Sequence, residues 1–241
     1  MSKRLRIFAG PNGSGKSTVV RKVIEKYPVW YFVNADHIER EIRDEGSFDF
    51  LKFDLAINTE YFFDFLRASS FNQKSGIQNL LSNLSVKNNR LFVKGDQDIG
   101  YLGALVADFL RAFLLNEGVT FAFETVFSHR SKLEFIEYAN IRGYKTYLYF
   151  IGTESPEINI SRVQNRVQQG GHDVPKDKIT NRYYRSMELL HESLRTVYKG
   201  YVFDNSGSQT EQVLRKNRDG KISFTHDTYP DWVYQYLVSK L

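Results

Sequence analysis

The chain has 241 residues, enough for one large domain or for a domain with an insertion, and 41% of them are apolar, which suffices for a buried core. It contains no cysteine, so disulfides, thiolate metal sites and a cysteine nucleophile are excluded, and we expect a reducing, cytoplasmic compartment. The formal net charge of +5 suits a protein that binds anions, either phosphorylated metabolites or nucleic acid. The N-terminal apolar run is too short for a signal peptide and no later run resembles a membrane span, so we expect no membrane association.

A short apolar run at the start of the chain leads directly into a glycine-rich stretch. Residues 10–17, GPNGSGKS, fit the phosphate-binding pattern G-x-x-x-x-G-K-[ST] at every fixed position. Glycines let such a loop turn tightly and point its N–H groups at phosphate oxygens, while Lys16 would reach the β and γ phosphates and Ser17 would ligate Mg²⁺. Apolar residues then recur at helical spacing until Pro28. The sequence therefore predicts a site for ATP or GTP with Mg²⁺, formed by Gly10, Asn12, Gly13, Ser14, Gly15, Lys16, Ser17 and Thr18.

Runs typical of buried strands recur along the chain, with helical patterns between most of them. They lie at 4–9, 29–33, 119–123, 145–151 and 200–203. This alternation predicts a single α/β domain over residues 1–241, with a parallel sheet flanked by helices.

Two segments depart from the simple alternation of strands and helices. The connection between the second and third strands is longer than a crossover needs, so we expect an insertion at about 44–98, with added helices and a mobile or hairpin-like middle. Near the end of the chain, Asp219-Gly220 predicts a hairpin within 213–224, and 229–241 has the pattern of a closing helix.

The segment Asn34-Ala35-Asp36 directly follows the second predicted strand. In open α/β sheets, ligands bind beyond the carboxyl ends of the strands, so Asp36 would stand at the mouth of the site and could accept the proton of an attacking hydroxyl. The alternative is structural, because Asp36 and Glu39 also fit a capping box at a helix start. Arg40 could contact an acidic substrate, or it could be a solvated helix arginine.

Glu124 and Thr125 follow the third predicted strand. A carboxylate at this position could hold Mg²⁺ through water or bind the substrate hydroxyl. The alternative is a strand-end glutamate that faces solvent. The five histidines, at 37, 129, 172, 191 and 226, do not have metal-ligand spacing, so we predict no histidine metal site.

Two predicted helices span 155–198 and carry arginines on their polar faces. Ser155-Pro156 begins the first helix, Gly170-Gly171-His172 breaks it, and Pro175 begins the second. Guanidinium groups stay charged and grip phosphate with two donors, so this pair could form a phosphate-binding lid. Ordinary solvated charges are the alternative. The arginines concerned are Arg162, Arg166, Arg182 and Arg185.

Together, these motifs resemble those of the zeta toxin family of P-loop kinases. The resemblance rests on GPNGSGKST at 10–18, NADHIER at 34–40, F-x-F-E-T-x-x-S-H at 121–129 and R-V-x-x-R-V-x-x-G-G-H-x-V-P-x-x-x-I-x-x-R-Y at 162–183, and it continues to Asp204-Asn205-Ser206. It covers the first forty residues and roughly 101–241. Residues 44–98 have no recognisable counterpart.

The resemblance implies a kinase that transfers the γ-phosphoryl group of ATP or GTP to the hydroxyl group of a small molecule. In the best-known zeta toxins the acceptor is the sugar 3′-hydroxyl of UDP-N-acetylglucosamine. Members of this broad group differ in their acceptors, so UDP-N-acetylglucosamine is one candidate among nucleotide sugars and other metabolites. An antitoxin protein is the implied macromolecular partner.

The same resemblance implies roles for individual residues. Asp36 would be the catalytic base, and Lys16 would hold the phosphates. The other implied roles are Ser17 on Mg²⁺, Arg40, Glu124 and Thr125 at the acceptor, and Arg166 and Arg182 in the lid. Arg162 and Arg185 lie close enough in sequence to exchange roles with the two lid arginines.

Two other functions remain open. The basic charge and the 15 tyrosines and 19 phenylalanines are compatible with a polynucleotide kinase, but most of these aromatics fall in apolar patterns, so nucleic acid is not our expected partner. In a nucleotide-gated binding module, ATP would order the lid or the insertion without phosphate transfer.

Overall fold

The computed structural model describes residues 2–69, 77–95, 98–171 and 173–241. The chain forms two compact units, of which the first contains residues 1–32 and 120–241 and the second contains residues 33–119. The segment 44–98 lies in the second unit. Its residues 70–76 and 96–97, and also His172, fall outside the described residues.

The secondary structure alternates between strands and helices along most of the chain. In order, the elements are β1 (Arg4–Ala9), α1 (Lys16–Lys26), β2 (Tyr31–Val33), α2 (Ala35–Glu45), β3 (Ser47–Asp49), α3 (Thr59–Ala68), α4 (Ile77–Ser82), β4 (Leu84–Lys87), β5 (Arg90–Val93), α5 (Ile99–Asn116), β6 (Phe121–Thr125), α6 (Ser131–Ile141), β7 (Lys145–Gly152), α7 (Pro156–Gln168), α8 (Lys176–Thr196), β8 (Lys199–Asp204), β9 (Glu211–Lys216), β10 (Ile222–Phe224) and α9 (Asp231–Tyr236). Short 3-10 helices lie at Phe50–Phe53 and Val238–Lys240.

Within the described residues, seven strands form the main sheet, in the order β10-β9-β8-β7-β1-β6-β2. β1 is parallel to β6 and β7, β7 is parallel to β8, and β9 and β10 add an antiparallel edge. Leu5 to Ala9 are buried, as expected for a strand with neighbours on both sides and packed groups on both faces. The predicted α/β fold with a mostly parallel sheet is confirmed.

Two predicted strands have different boundaries in the structure. The run at 29–33 forms a strand only over Tyr31–Val33, and the run at 119–123 forms one over Phe121–Thr125. Val119 is not a strand residue because its N–H donates to the carbonyl of Leu114 and so closes the C-terminal turn of α5. Glu124 and Thr125 are therefore the last two residues of β6 and do not follow it.

The helix pair and the C-terminal hairpin form where local sequence signals place them. Pro156 is the first residue of α7, and Gly170 ends that helix with a φ of 83°. The hairpin between β9 and β10 turns with Gly220 at a φ of 85°, which confirms the predicted hairpin. The closing helix is shorter than the predicted 229–241, because α9 covers only Asp231–Tyr236.

The second unit has its own small sheet and its own core. The sheet is antiparallel, in the order β3-β5-β4, and Asn88 and Asn89 turn the hairpin between β4 and β5 at positive φ. Its core is aromatic, since the ring of Phe109 lies 6.1 Å from that of Phe50 and 4.9 Å from that of Phe62.

One helix in the described part of the chain, α5, is long and apolar enough to cross a membrane by length and composition. This differs from our expectation that no run resembles a span. The helix is 56% buried within the protein, and its apolar residues, among them Leu105 and Leu110, pack in the core of the second unit. Core burial therefore accounts for its hydropathy.

Candidate functional site

The phosphate loop links β1 to α1, and its backbone conformation requires glycine. Gly10 and Gly13 have φ values of 147° and 76°, a region that other residues rarely adopt. A β-carbon at Gly10 would collide with the carbonyl oxygen of Ile151, and one at Gly13 would collide with that of Asn159. The two glycines therefore let β7 and α7 approach the loop closely.

The loop ends at the N-terminus of α1, which is suited to bind an anion. Gly15 precedes the helix, no side chain caps it within the described residues, and its first turn contains no acidic residue. The first N–H groups of a helix lack intrahelical partners and carry a partial positive charge. Ser17 and Thr18 are exposed at this end, as phosphate and Mg²⁺ ligands need to be.

Lys16, the lysine predicted to bind the β and γ phosphates, is buried beside the loop. Its Nζ donates to the carbonyl oxygens of Gly10 at 3.0 Å and Pro11 at 2.9 Å. The same Nζ lies 4.0 Å from a carboxylate oxygen of Glu124, whose side chain is also largely buried. The structure thus brings together two residues that are predicted at separate places in the sequence.

The interior of the loop also contains a polar atom without a partner. The side chain of Ser14 is fully buried, and its Oγ has no hydrogen-bond partner among the described residues. A buried hydroxyl without a partner is costly, so such atoms in folded proteins call for an explanation. A polyphosphate with Mg²⁺ fits the groups that are present here. They are this hydroxyl, the glycine-lined cradle and the exposed Ser17.

Two side-chain amides support the loop from outside. Asn159 of α7 donates from Nδ2 to the carbonyl of Asn12 at 2.7 Å, and its Oδ1 accepts from the hydroxyl of Thr153. Asn205, which follows β8, donates from Nδ2 to the carbonyl of Ser14 at 2.8 Å. Asn159 is fully buried. We did not predict Asn159 as a site residue, and its only sequence signal is an asparagine in an apolar helix stripe.

A tyrosine from α8 joins this support. The Tyr183 hydroxyl donates to the carbonyl of Thr153 at 2.7 Å, and burial raises the pKa of Tyr183, so the hydroxyl stays protonated as a donor. Thr153 in turn bonds Asn159, as described above. The two helices of the predicted lid are therefore connected to the phosphate loop by hydrogen bonds.

The four candidate lid arginines have different surroundings. Arg162 donates to the carbonyls of Asn205 at 2.6 Å and Gly207 at 3.1 Å, so it holds the loop after β8. Arg182 lies next to the phosphate loop, with a guanidinium nitrogen 3.4 Å from Oδ1 of Asn12. Arg166 and Arg185 are exposed on their helices.

A cavity of about 410 Å³ opens beside the phosphate loop. Thr18 and Lys22 of α1 line one side and Arg162 another, and the segment 207–210 completes the wall. Asn205 fixes this segment, because its Oδ1 accepts from the Thr210 hydroxyl at 2.7 Å.

The carboxyl end of β6 has an unusual backbone. The Thr125 hydroxyl accepts from the N–H of Phe127, which has a φ of 60° and is buried. A bulky residue at positive φ is strained and persists only where its surroundings enforce it. Ser186 of α8 helps to hold this backbone conformation, since its hydroxyl donates to the carbonyl of Val126.

Asp36 and Arg40 belong to the second unit, in the first two turns of α2. The helix is capped by Asn34, whose side chain accepts from the N–H groups of Asp36 at 2.8 Å and His37 at 3.3 Å. The alternative prediction, that Asp36 caps this helix in a capping box with Glu39, is therefore wrong. The carboxylate of Asp36 is exposed, as is Arg40 one turn later.

Comparisons with known proteins support the fold. No model of a known protein family matches the chain. An uncharacterized protein of Haemophilus influenzae is 31% identical over 71 residues, which are 30% of this chain, and the chain spans about half (51%) of that relative.

Two solved structures are similar to this chain over most of its length. The structure of AvrRxo1-ORF1:-ORF2 with ATP has a TM-score of 0.59 and 13% identity, covering 93% of this chain and 61% of that one. The PezAT toxin-antitoxin system of Streptococcus pneumoniae matches with a TM-score of 0.47 and 13% identity, over 100% of this chain and 80% of that one. The likeness to the first of these two structures supports the α/β fold with a mostly parallel sheet.

Proposed function

We propose that this protein is a kinase that transfers the γ-phosphoryl group of ATP or GTP to a hydroxyl group of a small molecule. The observation that carries the proposal is the phosphate loop with its buried lysine, Lys16, beside the carboxylate of Glu124. The likeness to a structure solved with ATP supports it.

The nucleotide side of the site follows from the loop. The backbone N–H groups of Gly13 to Lys16 would bind the β phosphate, and Lys16 would exchange its loop carbonyls for phosphate oxygens. Mg²⁺, held by Ser17 and by Glu124 through water, would neutralise charge on the phosphates. The cavity beside the loop, lined by Arg162 and the segment 207–210, would take the nucleobase.

Transfer also needs the developing charge to be stabilised and the acceptor to be activated. Arg182, next to Asn12, and Arg166 would approach the transferred group from the lid. Asp36 would accept the proton of the attacking hydroxyl, and its carboxylate is available for this because Asn34 already caps the helix. Arg40 and Thr125 would contact the acceptor.

The acceptor in this proposal is a small metabolite, with a nucleotide sugar such as UDP-N-acetylglucosamine as the first candidate, because the motifs resemble those of the zeta toxins. An antitoxin protein as a partner is proposed from the same resemblance, and a cytoplasmic location is proposed from the lack of cysteine in the sequence.

The acceptor is tested by incubating the protein with Mg²⁺, γ-labelled ATP or GTP, and a panel that contains UDP-N-acetylglucosamine, other nucleotides and short oligonucleotides. Label on a small-molecule hydroxyl supports the proposal. Label on an oligonucleotide end would instead make the protein a polynucleotide kinase. Tight nucleotide binding without transfer to any acceptor would favour a nucleotide-gated module.

A further inference from the structure

A second charged surface lies on the first unit, away from the phosphate loop. It occupies the α1 side of the main sheet, near the N-terminal ends of the parallel strands, whereas the phosphate loop follows the C-terminal end of β1. We call it the cation–tyrosine face and define it by Lys145, Tyr147, Lys199, Tyr201 and Arg215, with the buried Arg6 beneath it. Lys145 and Arg215 are exposed, and Tyr147, Lys199 and Tyr201 are half-buried.

The register of the strands places these side chains on the same face of the sheet. Tyr147 pairs with Arg6 on one side and with Lys199 on the other. Tyr201, two residues after Lys199 on the same strand, pairs with Arg215 on β9. Because side chains opposite one another in neighbouring strands project to the same side, Arg6, Tyr147 and Lys199 form one row across three strands, and Tyr201 with Arg215 forms part of a second row on the same face.

The aromatic rings on this face hold the cations in place. The guanidinium of Arg6 lies 5.7 Å from the ring centre of Tyr147, and the ammonium groups of Lys145 and Lys199 lie 5.5 and 5.9 Å from that of Tyr198. At such distances a cation is attracted to the ring face. Aromatic rings therefore help to position the cationic groups of Arg6, Lys145 and Lys199.

The charge of the face is not balanced by the chain itself. Within the described residues, the ion pairs involve none of the cations that define this face. Several like charges held on one face repel one another, and an anionic partner would relieve that repulsion. We propose that the cation–tyrosine face docks an acidic segment, rich in aspartate and glutamate, of a partner protein.

The ring geometry favours a protein segment over a nucleic acid. The rings of Phe8, Tyr149 and Tyr201 stack in a row, with centroids 5.0 and 5.1 Å apart, and other tyrosine faces are covered by cations. Single-stranded nucleic acids are bound by stacking bases on free aromatic faces. The groups that remain are cationic heads and phenol hydroxyls, which match carboxylates. Burial raises the pKa of Tyr201, so its hydroxyl remains a donor.

This inference does not depend on the proposed kinase activity, and the test keeps the two apart. The full chain is titrated with a poly-glutamate peptide and with a single-stranded oligothymidine of equal charge, at low and moderate salt, and ATP binding is measured in parallel. The double variant Lys145→Glu/Arg215→Glu is compared with Lys87→Glu/Lys94→Glu, which makes the same change in net charge at exposed sites of the second unit.

We expect the peptide to bind the wild-type protein, and the variant of the face to weaken that binding about tenfold, because two favourable charge contacts become repulsive. The control variant and ATP binding should change little. Equal weakening in the control would overturn the proposal, since general charge attraction would explain it. Tighter binding of the oligothymidine than of the peptide, lost in the same variant, would overturn it in favour of nucleic acid. If the charge-reversed variant unfolds, Lys145→Gln/Arg215→Gln is subject to the same comparison.

Discussion

Lys16 shows how a single side chain is prepared for its ligand. In the structure it donates to two loop carbonyls and lies near Glu124, which keeps a buried ammonium group partnered. The same position places its charge where the β and γ phosphates of a bound nucleotide would lie. A phosphate that enters the loop would replace neutral carbonyl partners with anionic oxygens, which are stronger acceptors.

Replacing this lysine should abolish nucleotide turnover. In Lys16→Ala no other ammonium group can reach the phosphates from the loop, so we expect neither transfer nor measurable ATP hydrolysis. The measurement is release of labelled phosphate, with Lys26→Ala, an exposed lysine on the same helix, as the control. Turnover in Lys16→Ala equal to that of the control would show that the loop does not serve catalysis.

The buried amide of Asn159 should matter for both stability and nucleotide affinity. Asn159→Asp keeps the shape of the side chain but sets an oxygen against the carbonyl of Asn12, so one donor is lost inside the protein. Leaving such a group unsatisfied costs about 1–3 kcal/mol, and a loop without this support should bind ATP roughly ten- to a hundredfold more weakly.

Urea unfolding and calorimetric titration with ATP measure the two effects. The control is Asn165→Asp, at an exposed position of the same helix. If Asn159→Asp lost stability but bound ATP as well as the wild type, Asn159 would be a packing residue with no part in shaping the loop.

At the scale of elements, α7 and α8 connect the phosphate loop to the rest of the first unit. Asn159 and Arg182 contact the loop itself, while Arg162 holds the segment after β8. Arg162 therefore organises the loop after β8, whereas Arg182 lies beside the phosphate loop and Arg166 is exposed on α7. This division predicts different kinetic effects for their loss.

Arg166→Ala and Arg182→Ala should each lower kcat by about 10³, as the loss of an arginine finger does, with little change in nucleotide affinity. Arg162→Ala should mainly raise the KM for ATP, because the loop after β8 and the wall of the adjoining cavity would loosen. Steady-state kinetics with varied ATP separate the two outcomes. The reverse pattern would assign the lid role to Arg162, and Arg185→Ala is the matched control.

Proline and glycine at the ends of elements explain which elements could be predicted from the sequence. Pro156 and Gly170 bound α7, and Gly220 turns the last hairpin, because each acts through its own backbone. The start of β6 was missed because Val119 is taken into the turn after α5. The cap on α2 is Asn34 and not Asp36, because Asn34 is the residue in extended conformation. The sequence does not reveal which of two polar residues so close together adopts that conformation.

The candidate site was predictable to the extent that it lies in contiguous motifs. The loop at residues 10–17 is such a motif, and its glycine conformations and buried lysine agree with the pattern. Asn159 could not be predicted, because its role arises from α7 packing against a loop 147 residues earlier in the chain. The pairing of β3 with β5 in the second unit likewise depends on contacts that no local signal specifies.

The positive charge of the molecule, +5 net, is unevenly distributed. Part of it lies at the phosphate loop and the two helices beside it, where a polyphosphate would neutralise it. Another part forms the cation–tyrosine face at the opposite end of the strands, where the chain provides no carboxylate partner within the described residues. In our two proposals a single sheet presents two anion-binding surfaces, one for a nucleotide and one for a protein segment.

The most direct test of the proposed kinase compares wild-type protein with Asp36→Asn, measuring γ-phosphoryl transfer to the accepted small molecule and ATP affinity in the same samples. Asp44→Asn, exposed on the same helix, is the control. We expect transfer by the wild-type and control proteins, loss of transfer in Asp36→Asn, and equal ATP affinity in all three. Transfer by Asp36→Asn at the wild-type rate would contradict the assignment of the base, and absence of transfer in the wild type with ATP still bound would contradict the kinase itself.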